Sequence, residues 1–508
     1  MRNRFRFLGP VFAYLGSLFW VLGFLQLIPL LVLAIYVGMG RPEASPLCYL
    51  LPAALSIGIG WLLTHRGSEE RLSGRGAMLV CALGWVCLSA VAALPFCLAQ
   101  NPGANYLDAY FETVSGFTTT GITMFTGLDS MPRSIIFWRA FLQWLGGLGI
   151  LTFFLMVVGA GGGSHRLFSA ETHKIFSRRP APGLFNTLKI LWGIYSLYTV
   201  LIALLMVVAG TSLFDGIAHA FTCLSTGGYS PYDASIAQYR QEGYEYYVAI
   251  EYILTLGMIL GGTNFFVHFR LLSGDCKTLW DNLEVRVWWL ILGGATVLIM
   301  LDHCIRTGFV SPGASFWQGA AELESTFRAS LFQVVSIGTT TGFATKDIAN
   351  ADYFPGMSRQ IFLILMLIGG CVGSTGGGIK VMRIGVLMKM IGRQIRRSVL
   401  GHRTTTLLLV DGERIEVEEV RRIAALFFAW VFLLAIGGGV TAILTHFGPA
   451  EAASGMFSAL GNIGPCYISV TQMTELHPLI KLTYIIGMLA GRLEILPIFM
   501  LFSRWTWR

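Results

Sequence analysis

A chain of 508 residues that is 54% hydrophobic and only 13% charged, with a mean hydropathy of +0.65, carries more apolar surface than one interior can hide, which excludes a soluble globule and places it in a bilayer. Its formal charge of +8 has no soluble basic domain to carry it and so leaves no footprint for nucleic acid. The nine cysteines form no CxxC pair and sit mostly in apolar runs, which argues against a disulfide framework or a zinc site.

In chain order, the apolar run at residues 11–40 follows Arg2, Arg4 and Arg6 and imitates a secretory signal, but it is about twice as long as a signal core and reads as a retained span. Stretches long enough to cross the hydrocarbon follow at 47–64, 77–99, 134–158, 187–210, 246–269, 287–304, 358–390, 423–446 and 479–503, so ten spans are expected. With the N-terminus inside, 25 of the 36 Lys and Arg residues fall on inner segments, which predicts a multi-pass inner-membrane protein with both termini cytoplasmic.

Between these spans, residues 105–125, 213–230, 324–345 and 450–467 are half apolar and too short to cross. They read as re-entrant, and such backbone is tolerated at membrane depth only where protein buries it or water reaches it, which implies an aqueous path. Aligning the four on Gly121, Gly228, Gly342 and Gly464 gives spacings of 107, 114 and 122 residues. Six residues before the glycine stand Ser115, Thr222, Ser336 and Ser458; two before, Thr119, Thr226, Thr340 and Asn462; one before, Thr120, Gly227, Thr341 and Ile463; one after, Ile122, Tyr229, Phe343 and Pro465.

The fold expected is an all-α polytopic membrane protein: four pseudo-symmetric helix–pore-loop–helix repeats around a central pore, plus two extra N-terminal transmembrane helices. Boundaries fall at 1–72 for the N-terminal pair, 73–180, 181–282 and 283–400 for three repeats, and 401–508 for a cytoplasmic hairpin with the fourth. Asp108 and Asp215 are placed as N-caps of the first two pore helices, and Glu112, His219 and Gln333, nine before the glycine, as braces. Four such loops can aim backbone carbonyls at one point and replace the hydration of a monovalent cation. Glycine suits that role because, lacking Cβ, it takes φ > 0 and admits close backbone approach. Close helix packing explains one threonine–glycine run, but not four in register.

The segments SGFTTTGIT, LSTGGYS, SIGTTTGFAT and ALGNIGPCY, with GSTGGGIK and AGRLEI, resemble the Trk/Ktr/HKT superfamily of potassium transport proteins, in its TrkH-like branch, over residues 70–508. The resemblance implies a single-chain pseudo-tetramer, not an enzyme, that binds K+ at the filter formed by the residues one and two before each glycine, the glycine itself and the one after. It also implies a homodimer in membrane lipid that works with a cytoplasmic, TrkA-like nucleotide-binding regulatory subunit; any nucleotide belongs to that partner, and no covalent cofactor is expected. Glycine at position 121 is the potassium-favouring choice in this superfamily. The fourth loop lacks the threonine run, so the ring is expected to be only approximately symmetric.

Residues 369–378, GGCVGSTGGG, place six glycines in ten inside the 358–390 stretch, where an unbroken helix is disfavoured. The resemblance makes Gly369, Gly370, Gly373, Ser374, Thr375, Gly376, Gly377 and Gly378 a gating loop beneath the filter. A phosphate-loop reading fails because Ile379 separates Gly378 from Lys380, and Lys380 reads as the basic flank where the helix reaches the cytoplasm. Arg492, mid-span, costs about 2.5–3.5 kcal/mol unless it meets water or a partner. The resemblance makes it a cationic barrier under the filter; bridging of loop carbonyls is the alternative. Asn264 and His268 are placed near the exit, and Asp411-Gly412 reads as a hairpin turn. Coupling to Na+ or H+ as a symporter, or weaker K+/Na+ discrimination, stays open. An intramembrane enzyme lacks its polar catalytic set, and an alternating-access carrier would require inverted halves.

Overall fold

The computed structural model describes residues 8–506 except 69, 71, 100–104, 150, 151, 153–183, 312, 314, 401–407 and 505. The basic residues at 2, 4, 6, 71, 166, 174, 178, 179, 403 and 508 that entered the inside count therefore lie outside the described residues. Among those described, six helical stretches are long and apolar enough to cross a membrane: Leu8–Gly38, Leu47–Arg66, Gly74–Leu98, Leu184–Val208, Leu283–Thr307 and Val417–Leu444. The first two form the N-terminal pair and the other four open the four repeats. Their outer faces, with residues such as Leu204, Leu290, Phe428 and Ile443 exposed, are apolar where lipid would lie.

After each opening helix comes a pore helix: Tyr106–Phe117, Leu213–Leu224, Phe316–Gly338 and Pro449–Gly461. The first two begin differently from the expectation. Asn105 and Ser212 are the N-caps, accepting the amides of Asp108 at 2.9 Å and Asp215 at 3.1 Å. The two aspartates thus sit one turn inside, where a carboxylate still favours the positive helix end.

The closing helix is interrupted in repeats 2, 3 and 4 and ends at Gly147 in repeat 1; the break at 369–378 is the one expected, whereas those of repeats 2 and 4 are additional. Repeat 1 closes with Arg133–Gly147, and the remainder of the 134–158 span lies largely outside the described residues. In repeat 2, Tyr247–Gly262 and Phe265–Leu272 meet at 106°. Repeat 3 breaks between Gly356–Leu367 and Val381–Leu400, and repeat 4 between Pro478–Arg492 and Leu496–Phe502. Each break carries glycine: Gly146-Gly147, Gly261-Gly262, Gly369-Gly370 and Gly491. In repeats 1, 2 and 4 a β-carbon at Gly146, Gly261 or Gly491 would collide with the carbonyl oxygen of Phe117, Leu224 or Leu460, four residues before the loop glycine. Glycine lets the closing helix meet the end of its pore helix, and the helix stops there because the residue is also a poor helix former.

Asp411 and Gly412, at φ 49° and 82°, turn a two-stranded hairpin that pairs Leu409 with Arg414 and Val410 with Glu413.

Candidate ion pathway

The four loop segments share one backbone conformation. Thr119, Thr226, Thr340 and Asn462 are left-handed, at φ 53°, 53°, 59° and 53°, and Gly121, Gly228, Gly342 and Gly464 follow at 84°, 75°, 91° and 104°. Non-glycine residues rarely take φ > 0. The amide one before each glycine donates to the carbonyl six before it: Thr120 to Ser115, Gly227 to Thr222 and Thr341 to Ser336, each at 2.8 Å, and Ile463 to Ser458 at 3.1 Å. These bonds tie each loop back to the end of its pore helix.

The four loops close on one another in a ring. A β-carbon on Gly121 would overlap the carbonyl oxygen of Gly227, one on Gly228 that of Thr341, and one on Gly342 that of Ile463; one on Gly464 would lie 3.0 Å from that of Thr120. Each glycine therefore abuts the residue just before the equivalent glycine of the next repeat, and the fourth returns to the first. Gly121, Gly228 and Gly342 keep partial exposure while Thr120, Ile122, Gly227, Tyr229, Thr341 and Phe343 beside them are buried.

The second half of each loop is held from behind. Glu112 accepts Thr123 Oγ1 at 3.0 Å and the Met124 amide at 2.8 Å, and pairs with Arg139 at 2.7 Å, both side chains being nearly inaccessible. The Arg139 guanidinium lies 4.0 Å from the ring centre of Tyr229, whose hydroxyl donates to the Glu112 carbonyl at 2.8 Å. Gln143, one turn further on, donates to the Gly227 carbonyl at 2.6 Å and accepts the Tyr229 amide at 3.0 Å. His219 Nε2 lies 3.2 Å from Ser230 Oγ, and Gln333 Nε2 donates to the Phe343 carbonyl at 3.5 Å. In repeat 4, Gly455 leaves room for the Tyr484 hydroxyl. Glu112, His219 and Gln333 thus stand where the braces are expected, whereas the contributions of Arg139 and Gln143 were not anticipated. Both are polar residues i and i+4 on one face of an apolar helix, a signal that marks a functional position by default.

On the side of the ring toward the helix breaks lies the segment 369–378. Gly377 donates its amide to Thr340 Oγ1 at 2.8 Å, and Thr226 Oγ1 stands 3.2 Å from Thr375 Oγ1. Other bonds of the segment run to the breaks, where helix ends leave carbonyls and amides without intrahelical partners. Cys371 and Thr375 donate their amides to Gly262 and Gly261 at 3.0 and 3.2 Å, and Gly373 accepts from Phe265 at 3.1 Å.

Arg492 ties the arrangement together. It donates to Thr119 Oγ1 at 3.2 Å, to the Thr375 carbonyl at 2.6 Å and to the Gly147 carbonyl at 2.6 Å, with a further bond to the Gly146 carbonyl. Glu494 engages Arg383 at 2.5 Å. Lys380 departs from the reading as a cytoplasmic flank: its ammonium curls back onto the Gly376 carbonyl, with Gly377 at 3.5 Å. Asn264 and His268 fix the bend of repeat 2, Asn264 capping Phe266 at 2.8 Å and His268 Nε2 lying 2.8 Å from the Leu260 carbonyl. Among the described residues no His, Cys, Asp and Glu cluster has metal-site geometry.

A polytopic helical protein whose four pore loops close into one ring defines a membrane transport protein. This chain belongs to the TrkH family of cation transport proteins, whose model matches residues 53–506. It is 34% identical over 490 residues to the Trk system potassium uptake protein TrkH of Escherichia coli K12, covering 95% of this chain and 96% of that one. It is 33% identical to the protein of the same name from Vibrio parahaemolyticus, covering 98% and 99%. The crystal structure of the potassium transporter TrkH from Vibrio parahaemolyticus superposes with a TM-score of 0.83 at 29% identity, with both chains fully covered. Family membership makes the chain a transporter rather than an enzyme.

Proposed function

We propose that the chain takes up potassium across the bacterial inner membrane along the axis of the four loops. The carbonyls around Thr119-Thr120-Gly121-Ile122, Thr226-Gly227-Gly228-Tyr229, Thr340-Thr341-Gly342-Phe343 and Asn462-Ile463-Gly464-Pro465 form the selectivity filter. The cyclic contact of each glycine with the next repeat carries this reading, because four main-chain oxygens brought to one centre can replace the water around an alkali ion. The relatives' name, potassium uptake protein, supports K+ as the ion.

The segment 369–378 with Lys380 and Arg492 acts as the gate. Support comes from its hydrogen bonds to Thr226 and Thr340, directly beneath the ring, and from the bond of Arg492 to Thr119. Both termini face the cytoplasm, as the distribution of basic residues indicates. The relatives are named for a Trk system, which supports work with further components; those components are a second copy of the chain and a TrkA-like nucleotide-binding regulatory subunit. The test is growth at limiting potassium of a bacterium stripped of its own uptake systems. The parent chain restores growth and Gly121→Ser does not; equal rescue by the two would remove the filter assignment.

A further inference from the structure

The hairpin turned by Asp411 and Gly412 is bonded, through two carboxylates, to the segment 369–378. The helix Leu283–Thr307 has no side-chain cap from its own N-cap residue, Asn282. Asp411, from 128 positions away, supplies the missing acceptor, its Oδ1 taking the Leu283 amide at 2.9 Å. A carboxylate at that end satisfies one orphan donor and meets the positive end of the helix dipole.

The next residue, Glu284, is buried and accepts the Val372 amide at 2.7 Å. Val372 lies near the start of the glycine-rich segment, so this carboxylate holds its leading edge. The hairpin also shares an apolar cluster with that segment: Leu408, Val410 and Ile415 are buried with Met382 and Val386, and Leu283 and Val372 pack against them. Lys389 fixes the first strand of the hairpin, donating to the Leu409 carbonyl at 2.9 Å.

We propose that Asp411 and Glu284 are positioning residues for the gate and that the 408–415 hairpin is its handle: displacing the hairpin uncaps the helix at Leu283, shifts Glu284 and releases the segment 369–378. The inference rests on reading that segment as the gate. It also gives the exposed turn a purpose that its small size does not: a force applied at Asp411 reaches the edge of the ion path through two hydrogen bonds and one shared core. The six glycines of the segment bring no side chains to anchor it, so the grip of Glu284 on Val372 adds directly to the bonds from Thr226, Thr340 and Arg492 that hold its middle.

The experiment uses the full chain in liposomes, with rubidium flux and the rate at which a water-soluble thiol reagent modifies Cys371, read by peptide mass spectrometry. Cys371 lies inside the segment and is inaccessible. Asp411→Gly keeps the left-handed turn while deleting the cap. It should raise both rates by about fivefold, the population shift expected from losing one helix cap, without changing the preference for rubidium over sodium. Glu284→Gln should act in the same direction. Unchanged rates in both variants overturn the proposal. So does faster labelling that extends equally to Cys223, buried in the second pore helix, because that marks general loosening. Arg492→Ala separates the two levels: if it raises flux and the hairpin variants do not, the gate stands and its handle falls, and if none of them changes flux the gate assignment itself fails.

Discussion

A β-carbon on Gly121 would occupy the space of the Gly227 carbonyl oxygen; the same overlap links Gly228 and Gly342 to the next repeat, and Gly464 meets the first repeat more loosely, at 3.0 Å from the Thr120 oxygen. The two residues lie in different repeats, yet each fixes the other: the oxygen can stand there only because position 121 has no side chain. Closing the ring four times makes each loop the wall of its neighbour.

Unequal tolerance among the four glycines follows. Alanine forces a residue with Cβ into φ > 0 at all four positions, but at 121, 228 and 342 it also drives a methyl group into a carbonyl oxygen, whereas at 464 the nearest oxygen is 3.0 Å away. Initial rates of rubidium uptake should fall at least about tenfold in the first three variants, a loss worth roughly 1.4 kcal/mol or more. Gly464→Ala should keep the largest share of activity, and an equal loss at all four positions would contradict the ring's asymmetry.

Arg492 bridges three elements, so its charge and its geometry can be separated. Arg492→Ala should raise flux through the purified protein, and Arg492→Lys should raise it too, because an ammonium on a flexible stem cannot span Thr119, Thr375 and the Gly146-Gly147 carbonyls as the guanidinium fork does. Parental flux in the lysine variant would show that positive charge alone sets the barrier.

The Glu112–Arg139 pair is nearly inaccessible, and removing one partner strands the other. Arg139→Ala should cost about 3–5 kcal/mol and lower the thermal midpoint of the detergent-solubilised protein. Joining Glu112→Gln to Arg139→Met should recover part of the loss, since no charge is then left buried. A double variant less stable than either single one would contradict the pairing.

Gln143 fixes the second loop from outside the ring by one donated and one accepted bond. Replacing it with leucine leaves the Gly227 carbonyl and the Tyr229 amide without these partners. Potassium-over-sodium preference should drop about tenfold, the scale of one to two lost buried hydrogen bonds, with smaller change in total cation flux. A changed flux at constant preference would place Gln143 outside the filter's support.

Much of this was legible in the sequence because backbone demands repeat. Only glycine serves at 121, 228, 342 and 464, so the register survives where the neighbours diverge, and Asp411-Gly412 announced its turn for the same reason. The breaks in the closing helices were legible only at 369–378, although Gly146-Gly147, Gly261-Gly262 and Gly491 carry the same signal more faintly. Hydropathy averages over a window and cannot register a bend, as the 106° turn after Gly262 shows. Lys380 misled because a basic residue after an apolar run ordinarily marks the membrane edge, whereas here carbonyls freed by the broken helix draw it back. The Asp411–Leu283 and Arg383–Glu494 contacts join residues more than 100 positions apart, and nothing local in the chain announces them.

The central claim is tested most directly by rubidium anomalous scattering from crystals of the protein grown in rubidium. Peaks should lie on the axis between the carbonyl oxygens of Thr120, Gly227, Thr341 and Ile463, and disappear when sodium replaces rubidium. Anomalous density confined to other positions, with the ring empty of rubidium, would contradict the account.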